Sequence, residues 1–320
     1  MDNITHTLVG VVLAESGLKR ASALGTATLA LGANLPDVDV AMYFIGSNMD
    51  ALAFRRGWTH GVVAMVGLPL LLTVIMLGWN RLHRWRRPEG GEGGGGPPVN
   101  PRGLLALAAI GVWSHPLLDL LNVYGVRLLM PFSERWFYGD ALFIVDPWVW
   151  LVLLAGLALA RRSPGRPARL ALGVVGAYAL TMAVTARTGS ATISEQTGTS
   201  ARTMVAPVFG NPFRRDVIRD LGHRYETGAL SLGLRSSYTA TRVVSPGRDV
   251  PGAAEASTTH DGMRFLRWAR FPRFESRPDT SQGARSTQVR ISDLRFAQRG
   301  GFWASVAIAV PDRGALEGAR

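Results

Sequence analysis

The chain has 320 residues, 47% hydrophobic and only 18% charged, with a formal net charge of +12. That length suits about two domains at roughly 150 residues each, and the low charge argues against intrinsic disorder and raises a membrane as the solvent. The absence of cysteine removes disulfides, thiolate metal sites and cysteine nucleophiles, and Lys19 is the sole lysine, so any metal must be held by His, Asp and Glu.

From the N-terminus, 4–16 and 21–35 are apolar and rich in small residues, with Lys19-Arg20 at the turn between them. They predict a short hairpin that either spans or re-enters the membrane, with Glu15 awkwardly placed. A cleaved signal peptide fits badly, because Asp2 precedes the apolar stretch and no basic residue does. Four longer apolar stretches follow, at 61–79, 103–123, 141–160 and 168–186, each near the roughly 20 residues of a spanning helix. Arg81, Arg84, Arg86 and Arg87 separate the first two, and Arg161, Arg162, Arg166 and Arg169 separate the last two. The positive-inside rule makes both loops cytoplasmic, so residues 61 and 123 and the 124–140 connection lie at the outer surface. The Gly- and Pro-rich stretch 88–102 reads as a flexible linker.

After Arg187 the chain becomes rich in Arg, Gly and Ser. Segments 225–234, 237–244, 287–296 and 301–310 alternate or are β-branched and predict strands, while 211–222 reads as a strand or a short helix. The expected fold is therefore an α-helical polytopic membrane bundle of four to six apolar helices followed by a small β-rich C-terminal domain. Residues 1–186 form the membrane-embedded part and 187–320 the extramembrane part.

An ionisable residue within or beside a membrane segment is costly and points to function. His6, Asp37, Asp39, His60, His115 and Asp119 all fall at the outer ends of their helices in a topology drawn from arginines alone. His115 and Asp119 are four apart and share a helix face, although Pro116 between them predicts a kink. Asp37 and Asp39 flank one residue and would repel unless a cation neutralised them. Such a mixed set of imidazoles and carboxylates suits one or two Zn or Mn ions. Arg56 lies near the same layer, where it can clamp a substrate anion. Asp140 and Asp146 bracket the entry to the 141–160 stretch. Helix capping explains Asp146-Pro147, and a role as extra ligand, supporting group or general base is the alternative. Trp136, Trp148 and Trp150 suit an interfacial belt. His83 sits among cytoplasmic arginines, and His223 and His260 lie in the tail, away from this layer.

Several motifs together resemble the YdjM-like family of inner-membrane metal-dependent hydrolases. They are Met1-Asp-Asn-Ile-Thr-His-Thr-Leu-Val-Gly10, Leu35-Pro-Asp-Val-Asp39, Arg56-Gly-Trp-Thr-His60 and Ser114-His-Pro-Leu-Leu-Asp119. Asn122-Val-Tyr-Gly125, Pro131-Phe-Ser-Glu-Arg135 and Phe143-Ile-Val-Asp-Pro147 extend the likeness over most of residues 1–160. Gly61 departs from it, since a small hydroxyl residue is expected after the histidine. The His…Asp…His…His-x-x-x-Asp order is also distantly similar to zinc-dependent phospholipase C and related nucleases, which implies phosphoester hydrolysis.

The resemblance implies a membrane-bound hydrolase of the inner or plasma membrane, and the arginine topology makes it multi-pass with its C-terminal domain on the outer side. Its partners would be the lipid bilayer and a lipid-like substrate, a phosphoester or other ester hydrolysed at the outer face, and no nucleic acid. The same cluster could instead serve a transporter or ion-handling protein, or be vestigial in an anchor presenting a β-rich interaction domain. In 265–274, aromatics interleave with arginines, and a strand pair with a solvated face explains this better than a single-strand or phospholipid surface.

Overall fold

A computed structural model describes residues 1–85, 99–233, 235–279, 286–297 and 304–311, with the side chains of 83–85, 279 and 297 left aside. Most of the 88–102 linker, Arg86 and Arg87, the His83 side chain and residues 301–303 lie outside this description.

In chain order the helices begin with α1 (Asn3–Glu15) and α2 (Gly25–Gly32), joined through a 3-10 turn at Leu18–Ala21. A second 3-10 turn, Leu35–Ala41, leads to two short helices, α3 (Met42–Ile45) and α4 (Asn48–Phe54). Then come α5 (Val62–Trp85), α6 (Pro101–Leu120), α7 (Pro147–Ala160) and α8 (Arg166–Thr197). The chain divides into two compact units. The first comprises Met1–Val40, Arg55–Gly189 and Ala206–Arg215; the second comprises Ala41–Phe54, Ser190–Val205 and Asp216–Arg320.

Among the described residues, three helices are long and apolar enough to cross a membrane, through Val62–Leu82, Pro101–Leu120 and Arg166–Thr197. The fourth expected stretch is shorter. Asp146 caps α7 from the chain before it, accepting hydrogen bonds from the Trp148 and Val149 N–H groups at 3.0 and 3.3 Å. Its 14 helical residues reach about 21 Å at 1.5 Å per residue, against a hydrocarbon core of roughly 30 Å. α1 and α2, with 13 and 8 residues, are shorter still. Of the four to six apolar helices expected, three among the described residues are thus long enough to cross, and α1, α2 and α7 are shorter. Glu15 is accommodated by Lys19 one turn on, at 2.6 Å.

Small residues set how closely these helices approach. α1 packs on α2 and on α7, and α2 and α5 pack on α6. A Cβ built on Gly10 would lie 2.8 Å from Ala30 Cα, and one built on Gly111 would lie 2.9 Å from the Leu29 carbonyl oxygen and 3.2 Å from Gly32 Cα. Without a hydrophobic drive between helices in lipid, such backbone-to-backbone contact is a main source of association. Val9 and Val12 of α1 share a core with Val149 and Leu153 of α7 and with Val175 and Met182 of α8. Val66, Leu70 and Val74 form one exposed stripe of α5 at helical spacing, a face suited to acyl chains rather than water.

The tip of a β-hairpin, Ala206–Arg215, also belongs to this unit. Arg215 is fully buried and donates to the carbonyl oxygens of Ala141 and Met182 and to Thr185 Oγ1, at 3.0, 3.0 and 2.8 Å. Trp148 Nε1 donates to the Gly210 carbonyl at 3.2 Å, and the Phe143 and Phe209 rings meet edge to face at 5.5 Å. Trp150 likewise donates to Thr5 Oγ1 of α1 at 2.8 Å.

Beyond the bundle, β1 (Arg202–Val208), β2 (Asn211–Asp220), β3 (Tyr225–Ser231) and β4 (Ser237–Val244) follow one another in a single sheet in sequence order. β5 (Pro272–Asp279), β6 (Ser286–Asp293) and β7 (Ser305–Pro311) make a second, antiparallel sheet. Between the sheets lie α9 (Ala253–Thr258) and α10 (His260–Trp268), and α11 (Leu294–Ala297) follows β6. The 211–222 stretch resolves as strand. The 265–274 stretch is not a strand pair: it is the end of α10 running into β5, and Phe265, Trp268, Phe271 and Phe274 are all buried. Phe265 and Trp268 are three apart, which is helical spacing.

Candidate metal centre

The 3-10 turn after α2, the bend before α5 and the end of α6 bring four of the expected side chains together. Asp37, His60, His115 and Asp119 are all buried, and each offers one ligand atom within 4.8 Å of the others. Asp119 Oδ2 lies 3.4 Å from His60 Nε2 and 3.6 Å from His115 Nε2, and Asp37 Oδ1 lies 3.6 Å from His115 Nε2. α6 remains helical through Pro116, and His115 Nε2 and Asp119 Oδ2 lie 3.6 Å apart on a common face.

Each histidine is held by its other nitrogen. His115 Nδ1 sits 2.6 Å from the Ala33 carbonyl oxygen, an acceptor only, so Nδ1 carries the proton and Nε2 is left with its lone pair toward Asp119. Thr59 Oγ1 donates to Asp39 Oδ2 at 3.0 Å and lies 2.9 Å from His60 Nδ1. With the hydroxyl proton on Asp39, His60 Nδ1–H donates to Thr59, and Nε2 again faces inward unprotonated. Carboxylate–hydroxyl–imidazole chains of this kind orient metal ligands.

Asp39 therefore stands one step behind the group of four. Its Oδ2 also accepts the Arg56 N–H at 2.9 Å, and its Oδ1 accepts from Arg55 Nε at 3.4 Å. His6 lies on the other side. Its ring stacks on His115 with centroids 3.7 Å apart and 14° between planes, and its Nε2 is 3.4 Å from Asp119 Oδ1. The Met1 amine is paired with the same oxygen.

Arg56 Nε contacts Asp119 Oδ2 at 3.2 Å, and its Nη1 donates to Asn122 Oδ1 at 3.2 Å. The guanidinium carbon lies 4.5 Å from the centre of the Tyr124 ring, and φ of 51° at this residue turns the chain into the bend. Asp140 is buried with the same left-handed φ, beside the end of α6, where the Ala141 and Leu142 N–H groups donate to the Leu121 carbonyl. Asp146 is occupied as the α7 cap and accepts from Tyr178 Oη at 3.3 Å. Gly61 has a steric reason: a Cβ there would fall on the Met130 carbonyl oxygen, so the hydroxyl residue expected at this position has no room.

Burial pushes the His60 imidazole below its ordinary pKa, which favours the neutral, ligating form. That imidazole is thus biased toward the protonation state a cation needs.

His6 Nε2, Asp37 Oδ1, His60 Nε2, His115 Nε2 and Asp119 Oδ2 are buried and make no hydrogen bond. Native interiors leave only a few such atoms per 100 residues. Four of these, on Asp37, His60, His115 and Asp119, lie within 4.8 Å of one another, and this nitrogen and oxygen donor set fits a divalent cation. Thr59 and Asn122 were not singled out from sequence as site residues; both lay inside quoted motifs, Thr59 directly before the histidine it orients. Arg127 was missed altogether. It is buried, donates to the Arg55 carbonyl at 3.0 Å and lies 4.9 Å from the Trp136 ring centre, bracing the bend that carries Arg56 and His60.

The family described as YdjM inner membrane protein matches residues 1–189, a span that holds every member of this cluster. A curated relative, the uncharacterized protein YfhP of Bacillus subtilis (strain 168), is 28% identical over 180 residues. That alignment covers 52% of this chain and 48% of the relative, so the chain matches about half of the relative's length. No solved structure matches.

Proposed function

Given that the chain belongs to the YdjM inner membrane protein family, we propose that it is a membrane-bound, metal-dependent hydrolase whose cation is held by Asp37, His60, His115 and Asp119. The observation that carries this reading is the convergence of unsatisfied, buried lone pairs from three separate chain segments. When bound, a divalent cation supplies Lewis acidity toward an ester or phosphoryl oxygen and makes water acidic enough to ionise near neutral pH. The mixed imidazole and carboxylate donors favour Zn or Mn.

The chain's own residues do the rest. Asp39 and Thr59 fix the His60 ring, and the Ala33 carbonyl fixes His115. Arg56, held over Tyr124, keeps a positive charge beside Asp119 and draws an anionic group toward it. Asp140, whose next residues Ala141 and Leu142 donate their N–H groups to the Leu121 carbonyl at the end of α6, is assigned the role of proton acceptor, whereas Asp146 serves the fold. Val38 and Trp58, neighbours of the ligand residues, are about half exposed, which suits an amphipathic, lipid-like ester as substrate.

The test is metal analysis of the detergent-purified full chain, paired with hydrolysis of bis-p-nitrophenyl phosphate and of phospholipid in mixed micelles. Stoichiometric Zn or Mn is expected in the parent, with both metal and hydrolysis lost in His60→Ala. A parent that neither purifies with metal nor takes it up on reconstitution overturns the reading.

From the positive-inside rule applied to the two arginine loops we further propose that the ligand-bearing ends of α5 and α6 face outward and that the chain leaves the membrane outward after α8. Because the chain has no native thiol, Ser237→Cys gives a unique reporter. A membrane-impermeant maleimide should label it in intact cells or spheroplasts. Labelling only after lysis would reverse the topology.

A further inference from the structure

We infer that the centre holds two cations, with the Asp119 carboxylate bridging the position described above to a second one built on His6; the inference rests on the metal-dependent reading. The two oxygens of Asp119 face different groups. Oδ2 faces His60, His115 and Arg56, at 3.4, 3.6 and 3.2 Å. Oδ1 faces His6 Nε2 at 3.4 Å and accepts from the Met1 amine and from Asn122 Nδ2 at 3.5 Å, donors that a cation beside His6 would displace.

His6 is fully buried, and neither of its ring nitrogens makes a hydrogen bond. Its relation to His115 decides whether it can share the first cation. The two rings are nearly parallel, with centroids 3.7 Å apart and 14° between planes, and each turns its Nε2 to a different oxygen of one carboxylate. Lone pairs on stacked rings run side by side instead of converging. A single ion at ordinary metal–nitrogen distances of about 2.0–2.1 Å cannot lie on both lines. Two ions side by side can, and the ring spacing falls within the roughly 3.5–4 Å separation of two-metal sites. A carboxylate with one oxygen toward each position is the natural bridge, and Asp119 is already so turned.

The experiment loads the full-length, detergent-purified protein with Mn(II) and measures bound metal per chain and the low-temperature EPR spectrum. Two Mn per chain with a spin-coupled spectrum is the expected result. His6→Gln should lower the ratio from two to one and replace the coupled spectrum with that of an isolated Mn(II). One Mn per chain with an isolated signal in the parent overturns the second position while leaving the hydrolase reading intact. A parent without metal overturns both. A folded His6→Gln protein that loses all metal, or keeps both ions, also overturns the inference, since His6 would then serve the first position or none. The parent spectrum needs no variant, so a misfolded His6→Gln protein does not remove the test.

Discussion

Asp119→Asn is expected to strip the centre of metal and to destabilise the protein even when no metal is supplied. The change keeps the shape of the side chain and removes only its charge. Asp119 is fully buried, and its oxygens face His6, His60, His115 and Arg56. The asparagine leaves the Arg56 guanidinium without its carboxylate, and removing one partner of a buried ion pair costs about 3–5 kcal/mol. It also exchanges one carboxylate oxygen for an NH2 group, so that the side chain facing both His60 and His115 is no longer an anionic ligand. Outer-shell changes alone lower metal affinity by about 10–100-fold, so loss of this direct ligand should exceed 100-fold. Metal content after dialysis and thermal denaturation in detergent, each with and without added Zn, read the two effects separately. Unchanged metal content would remove Asp119 from the centre of the account.

The second large effect is expected far from any ligand. Gly111→Leu places a side chain where its Cβ would meet the Leu29 carbonyl oxygen at 2.9 Å and Gly32 Cα at 3.2 Å. These are backbone atoms of α2, with no rotamer to yield, so the two helices must part. Overpacking costs about 1–3 kcal/mol, occasionally more, and here the upper part of that range applies. α2 leads into the turn carrying Asp37, and α6 carries His115 and Asp119, so metal content should fall with stability although no donor has been touched. Gly67→Leu on α5 is the control, because nothing lies within 4 Å of a Cβ built there. Equal melting temperatures for the two variants would show that the α2–α6 contact is not under steric control.

The reading of the site from sequence rested on the expense of charge near lipid, and that logic singled out Asp37, His60, His115 and Asp119 together. It could not separate Asp37 from Asp39. Both sit in one short turn, and the choice of which faces inward is made by Thr59, Arg55 and the Arg56 N–H, which claim Asp39 from a distant stretch of chain. Nor could it find Arg127, whose partners include a carbonyl and a tryptophan ring that only the folded bend supplies.

Apolar runs were legible as helices but not their ends. α8 continues past the last apolar residues to Thr197, and Ile193 packs with Val205, Val217 and Leu230, so its last turns are stabilised by sheet contacts. Hydropathy alone places the end about ten residues too early. In the tail, Ser237–Val244 was read with its observed bounds, whereas α9, α10, β1 and β5 were not read as elements. α10 begins on Thr259, whose hydroxyl accepts the Gly262 N–H at 3.1 Å. That start signal was overlooked because arginines dominate the stretch that follows.

The hairpin tip anchored by Arg215 bears on modularity. The family likeness stops at Gly189, yet the guanidinium that ties Ala141 to Met182 and Thr185 comes from a strand some 25 residues later. A truncation made where the likeness ends would remove this clamp and leave three acceptors without their donor. The smallest fragment retaining a whole helical half thus extends through Arg215, and chimaeras exchanging tails between relatives would have to splice beyond it.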